Sequence, residues 1–258
     1  MKEMVKKIYW LLSVQFGLDL RRMARSFMSV PRYFMDWLSF RREYKGRLNF
    51  LPCLYDWCEE GGSTKNEYFL QDLHVARQIH LANPEKHIDI GSRIDGFVAH
   101  VASFREIEVF DIRPVNSSIP GIIFRQADLM NFSESMHGCC DSLSCLHALE
   151  HFGLGRYGDP IDPLGYAAGL ANMAKALRPA GFYYLSVPVG QACVEFNAHR
   201  IFEPRGLVRL AATNGLLLTG FAWIGSDHTL KQSLNPERDM DELSTLNYSL
   251  GIFTFVKR

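Results

Sequence analysis

The stretch His87-Ile-Asp-Ile-Gly-Ser-Arg-Ile-Asp-Gly-Phe97, followed by Glu108-Val-Phe-Asp111, decides how this chain is read. An apolar run enters Gly91, a turn follows, and a second short apolar run ends on Asp111, twenty positions after that glycine. This spacing predicts two neighbouring strands of a parallel sheet whose carboxyl ends face one ligand site. Gly91 lets the backbone pass close to a ligand because no Cβ intervenes. Asp111, one strand over, stands where an acidic side chain accepts hydrogen bonds from ribose hydroxyls.

Glycine spacing separates the ribose-bearing cofactors. A dinucleotide fingerprint, G-x-G-x-x-G, needs a small middle position to admit the pyrophosphate, and Arg93 stands there. A P-loop needs Lys and Ser/Thr after its second glycine, whereas Gly96 is followed by Phe97 and Val98. S-adenosylmethionine (SAM) carries no phosphate and requires one close backbone approach plus the ribose acid, which Gly91 and Asp111 supply. A glycine turn in an unrelated α/β protein is the remaining reading of so short a pattern.

At 258 residues the chain can form one domain with an appendage. With 47% hydrophobic and 22% charged residues it has an ordinary globular composition, and a formal net charge of zero offers no global field for nucleic acid. Cys53, Cys58, Cys139, Cys140, Cys145 and Cys193 form no C-x-x-C pair. Zinc and a disulfide framework are therefore not expected, and free thiols in a reducing, cytoplasmic compartment are. Cys145 and Cys193 lie in apolar runs and are expected to be buried.

Ile8 to Leu20 follows Lys2, Lys6 and Lys7 like the opening of a signal peptide. Gln15 and Asp19 interrupt it, no small-residue cleavage site follows, and the run is too short to span a bilayer, so it is read as mature sequence. Residues 1–47 carry eleven Lys/Arg against four acids, a surplus of seven, interleaved with aromatics such as Phe27, Tyr33, Phe34, Trp37 and Phe40. Residues 1–62 are expected to be a basic, aromatic helical arm. It can lie on an anionic membrane surface, grip an acidic substrate, or pack on the main domain or a second subunit of a homo-oligomer.

From residue 63 onward strands and helices alternate, which predicts a parallel sheet covered on both faces. Thr64-Lys-Asn-Glu67 reads as a capping box for a helix with Phe69, Leu70, Leu73, Ala76 and Ile79 on its apolar face. Strands are expected at 88–91, 107–111, 122–124, 141–146, 182–187, 216–224 and 250–256. Asp162 and Pro163 are expected as N-cap and first residue of a helix stopped by Pro179 and Gly181, and a further helix spans Pro204 to Gly215. The segment from Gly225 to Tyr248 reads as a surface loop or lid.

In that order, the elements resemble the class I SAM-dependent methyltransferases from about Asn66 to the C-terminus. The segments that carry the likeness are Asp89-Ile-Gly-Ser-Arg-Ile-Asp-Gly96, Phe110-Asp111, Ser144-Cys-Leu-His-Ala-Leu-Glu-His151 and Leu177-Arg-Pro-Ala-Gly-Phe-Tyr-Tyr-Leu-Ser-Val-Pro188. The wider run, with Gly153-Leu-Gly-Arg-Tyr-Gly-Asp-Pro160 and Phe196-Asn-Ala-His-Arg-Ile-Phe202, is similar to a bacterial branch associated with surface-polysaccharide synthesis. The resemblance implies a Rossmann-like α/β fold with a mostly parallel seven-stranded sheet whose last strand is antiparallel. It also implies SAM as cofactor and, by analogy, a saccharide or lipid-linked glycan as acceptor, handled at the inner face of a membrane.

The resemblance places Gly91 and Ser92 beside the methionine end of the cofactor, Asp89 near its ammonium, Asp111 and Ile112 at the ribose, and Asp128 and Leu129 at the adenine. Leu146 and His147 close the same pocket. Asp128 has a second reading as a turn aspartate. Arg93 departs from the family's glycine, and its guanidinium can pair with Asp95, pair with Asp111, reach the methionine carboxylate or crowd the pocket. A sugar hydroxyl must lose a proton on methylation, and His151 is the first candidate base, ahead of His199, with His147 and Glu150 beside it. His147 and His151, four apart, are metal-ligand spacing without a third ligand, so no metal is expected. Arg156, Tyr157, Asp159 and Asn197 are candidate acceptor contacts. The alternative is a non-catalytic methyltransferase-like module that binds a protein partner in a glycan-assembly complex.

Overall fold

The computed structural model describes residues 2–62, 64, 66–131 and 133–258; the side chains of Lys2, Lys6 and Lys7 in the basic tally, and Lys65 of the expected capping box, lie outside the described residues. The chain divides into two compact units, Met1–Ser63 and Thr64–Arg258.

In the first unit α1 (Lys2–Trp10) runs into an irregular helical turn, Leu11–Gln15, and then into α2 (Leu20–Glu43). Asp19 starts α2 by accepting from the backbone N–H groups of Arg21 and Arg22 at 3.0 and 2.9 Å, and Tyr9 donates to the same carboxylate at 2.6 Å. Such a cap satisfies donors that the helix leaves without partners. After α2 the chain returns extended, and Phe50 packs edge-on against Tyr33 at 5.2 Å.

The second unit begins with α3 (Glu67–Ala82). Its cap is Asn66, which accepts from the Tyr68 N–H at 3.0 Å, rather than Thr64. The strands are β1 (His87–Ile90), β2 (Ile107–Asp111), β3 (Ile122–Gln126), β4 (Cys140–Leu146) and β5 (Leu177–Val189), then β6 (Cys193–Glu195), β7 (His199–Ile201), β8 (Leu216–Ile224), β9 (Leu230–Gln232) and β10 (Ser249–Lys257). Helices α4 (Ala99–Ala102), α5 (Gly165–Ala176), α6 (Pro204–Thr213) and α7 (Pro236–Ser244) join them. The main sheet runs β3-β2-β1-β4-β5-β10-β8-β9, with β1 to β5 parallel and β10 antiparallel to both β5 and β8.

This is the expected α/β architecture with one strand more than the seven predicted. The eighth, β9, and helix α7 both come from the segment read as a loop. That segment is polar enough to look like coil, yet Met240 and Leu243 are buried and Asn235 caps α7. Two further boundaries differ, a start and a stop. Leu164, not Asp162, precedes α5; Asp162 instead accepts from the Leu164 N–H at 2.8 Å in the turn before it. Pro179 and Gly181 fall within β5, since α5 has already ended at Ala176.

Alternation along the strands builds the core on two faces, because successive side chains point to opposite sides. Ile88, Leu143, Leu185 and Phe253 pack with Leu170 and Met173 of α5 on one face; Val109, Leu146, Tyr184 and Ile252 pack with Val75 and Ile79 of α3 on the other. The strand order reverses between β1 and β4. There the crossovers leave in opposite directions and open a crevice at the carboxyl ends.

Candidate functional site

The carboxyl ends of β1, β2 and β4 deliver Gly91, Asp111 and His147 to that crevice, and a cavity of about 690 Å³ occupies it. This volume suits a small cofactor with an acceptor beside it. Gly91 takes φ +75°, and a Cβ built there would stand 2.9 Å from Ala148 Cβ. The left-handed backbone and the close approach both require glycine.

Beneath the glycine turn lies a buried polar chain. His87 faces the Ser142 and Ser144 hydroxyls at 2.8 and 3.1 Å, and Ser144 donates to Asp89 at 2.6 Å. Asp89 also accepts from the Ser92 N–H and hydroxyl at 3.0 and 2.9 Å, which fixes the turn. Burial lifts the Asp89 carboxyl to about 7 against the opposing pull of those donors, and burial depresses His87 to about 3. Asp89 supports the turn from below and is not among the residues that line the cavity.

Arg93 does not crowd the pocket with an unpaired charge. It forms a two-pronged pair with Asp95 at 2.7 and 2.9 Å, and both side chains are largely exposed. Asp111 has a partner that the sequence reading did not foresee. Arg113 lies across its carboxylate, with Nε 3.0 Å from Oδ1 and Nη2 2.5 Å from Oδ2, while its own backbone N–H donates to Oδ1 at 2.8 Å. The same guanidinium stacks on Tyr157 at 4.6 Å, linking the β2 edge to the loop after β4. Ile112, Asp128, Leu129 and Leu146 complete this half of the cavity wall. Asp128 also acts as a turn aspartate, accepting from the Met130 N–H at 2.9 Å.

The other half is lined by titratable groups. His147 Nδ1 and Glu150 Oε1 are 2.9 Å apart, with side chains 6% and 1% exposed. Burial depresses His147, but the bond to Glu150 and the charges of Glu150, Glu67 and Asp72 together outweigh it and raise the imidazole; burial raises Glu150, but the bond to His147 and the charges of His147 and His151 together outweigh it and lower the carboxyl. Both directions describe a buried ion pair. His147 Nε2 and Glu150 Oε2 are nevertheless buried without a hydrogen-bond partner, so each can still meet a ligand. His151 points Nδ1 at the Ala198 carbonyl, 2.7 Å away, a contact that only a protonated Nδ1 satisfies. Its Nε2 is then the lone-pair nitrogen, 3.7 Å from Glu150 Oε1, and burial lowers its affinity for a second proton. Burial likewise lowers His199, which also lines the cavity.

The glycine-rich loop after His151 is held by Asp159, whose carboxylate accepts from the N–H groups of Gly153, Gly155 and Tyr157. Asp159 lines the cavity, but both of its oxygens already serve the loop's shape. Arg156 lines it too, donating to the Ala198 carbonyl at 2.7 Å. Asn197 is exposed and is not among the lining residues. Cys193 is exposed as well, against expectation, because β6 belongs to a two-stranded ribbon outside the main sheet; Cys145 is buried. Among the described residues no His/Cys/Asp/Glu group could hold a metal.

Sequence reading missed Glu67, Tyr68, Gln71, Asp72, Arg113 and Tyr248, all of which line the cavity. Helix α3 is turned relative to its predicted stripe. Phe69 is 39% exposed, while Gln71 and Asp72 are 1% and 6% exposed and bonded to each other at 2.9 Å. A polar Gln-Asp pair beside Leu70 and Leu73 was the available signal. Tyr248 donates to Glu67 at 2.7 Å from 181 positions away, and no local pattern announces that contact.

A family model described as "Caenorhabditis protein of unknown function, DUF268" matches residues 117–248, just over half of the chain. No curated protein matches the sequence. Among solved structures, the 1,6-didemethyltoxoflavin-N1-methyltransferase of Burkholderia thailandensis, bound to its substrate and S-adenosylhomocysteine, is similar with TM-score 0.52 and 15% identity, over 78% of this chain and 80% of that one. The N-methyltransferase NodS of Bradyrhizobium japonicum, with S-adenosylhomocysteine, gives TM-score 0.51 and 16% identity over 78% and 91%. The [4+2]-cyclase SpnF gives 0.52 and 14% over 73% and 80%. At these identities the likeness establishes a fold, and a cyclase among the neighbours shows that the fold alone does not name a reaction. The chain therefore belongs to the DUF268 family, and its second unit has the Rossmann-like class I methyltransferase fold.

Proposed function

We propose that the protein is a SAM-dependent methyltransferase whose acceptor is a hydroxyl of a saccharide or lipid-linked glycan. The observation that carries this reading is the shared cavity: Gly91 and Asp111 border one half, and His151 with its Nε2 lone pair borders the other. The cavity fits the cofactor chemically. Gly91 leaves room for its backbone approach, Asp111 offers the ribose acceptor once Arg113 yields an oxygen, and Leu129 and Leu146 give the base an apolar seat. The bound cofactor would supply an electrophilic methyl group on a sulfonium.

With the cofactor bound, its methyl group would pass to the acceptor oxygen and His151 Nε2 would take the hydroxyl proton, leaving the methyl ether, S-adenosylhomocysteine and a protonated His151. The Ala198 carbonyl fixes the useful tautomer, and Glu150 stabilises the imidazolium that forms. The orphaned Nε2 of His147 and Oε2 of Glu150 offer a donor and an acceptor, a combination that suits a polyhydroxylated acceptor.

Titration calorimetry with SAM and S-adenosylhomocysteine tests the cofactor half. Wild type should bind; Asp111→Ala should lose roughly tenfold or more in affinity, and Arg113→Ala should bind at least as tightly as wild type because the carboxylate is released. Failure of the folded wild type to bind either ligand would sink the methyltransferase reading. One observation favours a second reading, a non-catalytic module for a protein partner in a glycan-assembly complex: Asp111 is already fully engaged by Arg113. Absence of cofactor binding in both wild type and Arg113→Ala would turn attention there.

A further inference from the structure

Helix α2 carries an apolar face without a buried residue on it. None of its 24 residues is buried. Leu20, Phe27, Met28, Phe34, Met35 and Leu38 are between 47% and 80% exposed. At about 100° per residue, these six fall within an arc of roughly 120° that contains no charge until Arg42 in the last turn. Arg21, Arg25 and Arg32 lie along one flank of the stripe, and α2 holds six arginines against two acids, Asp36 and Glu43. The returning segment leaves most of this face open: Phe50 meets Tyr33 and only the edge of the stripe at Phe34, while Tyr55 and Trp57 lie over Arg22 and Arg32 outside the stripe.

Two kinds of occupant suit an apolar helical stripe, a second copy of α2 or a lipid surface. Charge decides between them. Two copies would bring like-charged arginine flanks together, whereas an anionic lipid surface neutralises those arginines while its acyl region takes the aromatics. The helix does not span: no helix among the described residues is long and apolar enough to cross a membrane. We infer that α2 is an interfacial helix that docks the protein on an anionic lipid surface, with Phe27, Phe34 and Leu38 inserted and Arg21, Arg25 and Arg32 at headgroup level.

The test uses the full chain and sedimentation with vesicles of phosphatidylcholine alone or mixed in equal parts with phosphatidylglycerol, with light scattering on the lipid-free protein. The protein should partition onto the mixed vesicles, weakly onto the neutral ones, and bind several-fold less as salt rises from low to physiological. Phe27→Ser with Leu38→Ser should lower partition roughly tenfold or more. Arg21→Gln with Arg25→Gln and Arg32→Gln should abolish the preference for the anionic mixture while leaving the apolar face intact. Cooperative thermal unfolding of each variant at the wild-type temperature guards against misfolding. No binding to either vesicle, equal binding to both, or loss of a solution dimer in the serine variant without change in vesicle binding would each overturn the proposal. Because no cofactor is added, failure here is separate from failure of the methyltransferase reading.

Discussion

Glu150→Gln isolates the buried pair at the heart of the site. In wild type Glu150 is 1% exposed, lies 2.9 Å from His147 Nδ1, and His147 is 6% exposed, so neither charge has recourse to water. Removing one member of such a pair costs about 3–5 kcal/mol, and the amide oxygen of Gln recovers part of that by still accepting from Nδ1, which leaves about 3 kcal/mol. The cost depends on pH in a defined direction. His147 is raised, so its share is complete below the ordinary imidazole value and is lost as pH climbs through its folded value. Glu150 is lowered, so its share is complete above the ordinary carboxylate value and is lost as pH falls through its folded value. Both shares are complete between about pH 5 and 6. Differential scanning calorimetry should show the variant melting roughly 6–12 °C below wild type in that interval. The gap should shrink above the folded value of His147, where wild type itself buries an unpaired carboxylate. A gap of constant size from pH 5 to 9 would refute the ion-pair assignment.

Two further outcomes follow from the glycine turn. Gly91→Ala combines a left-handed backbone, about 1–2 kcal/mol for a residue with a Cβ, with crowding against Ala148, about 1–3 kcal/mol. Urea denaturation should register a loss of about 2–5 kcal/mol, and wild-type stability would show that the turn is not held as described. Asp89→Asn acts in the opposite sense at neutral pH. With its carboxyl raised to about 7, Asp89 contributes fully below the ordinary carboxylate value and progressively less as pH rises to about 7. Asn can keep the bonds, since its oxygen accepts from the Ser92 N–H while its amide donates to the serine hydroxyls. The variant's melting temperature relative to wild type should therefore climb between pH 4 and 7 and then level off; a difference independent of pH in that range would count against a raised Asp89.

The amino-acid sequence by itself determined the strand–helix alternation and the placing of Gly91 and Asp111 at two neighbouring strand ends. Those features rest on local physics: apolar periods of two and 3.6, and a glycine where a Cβ is not tolerated. Strand β2 and strand β8 begin and end where their apolar runs do, because Asp111 and Gly215 punctuate them. Tertiary structure decided what these residues touch. Arg113 reaches back two residues to Asp111, yet only the fold turns both toward Tyr157. Helix α3 presents Gln71 and Asp72 inward because the edge it covers is a polar cavity, with Ser186 bonded to Gln71, overriding the stripe its leucines suggest. Strand β9 exists because β8 offers it an edge, and Tyr248 meets Glu67 because β10 returns beside β5. Partners brought together across such separations leave no periodic trace in the chain, since their energy is realised only when the packed elements bring them within bonding distance.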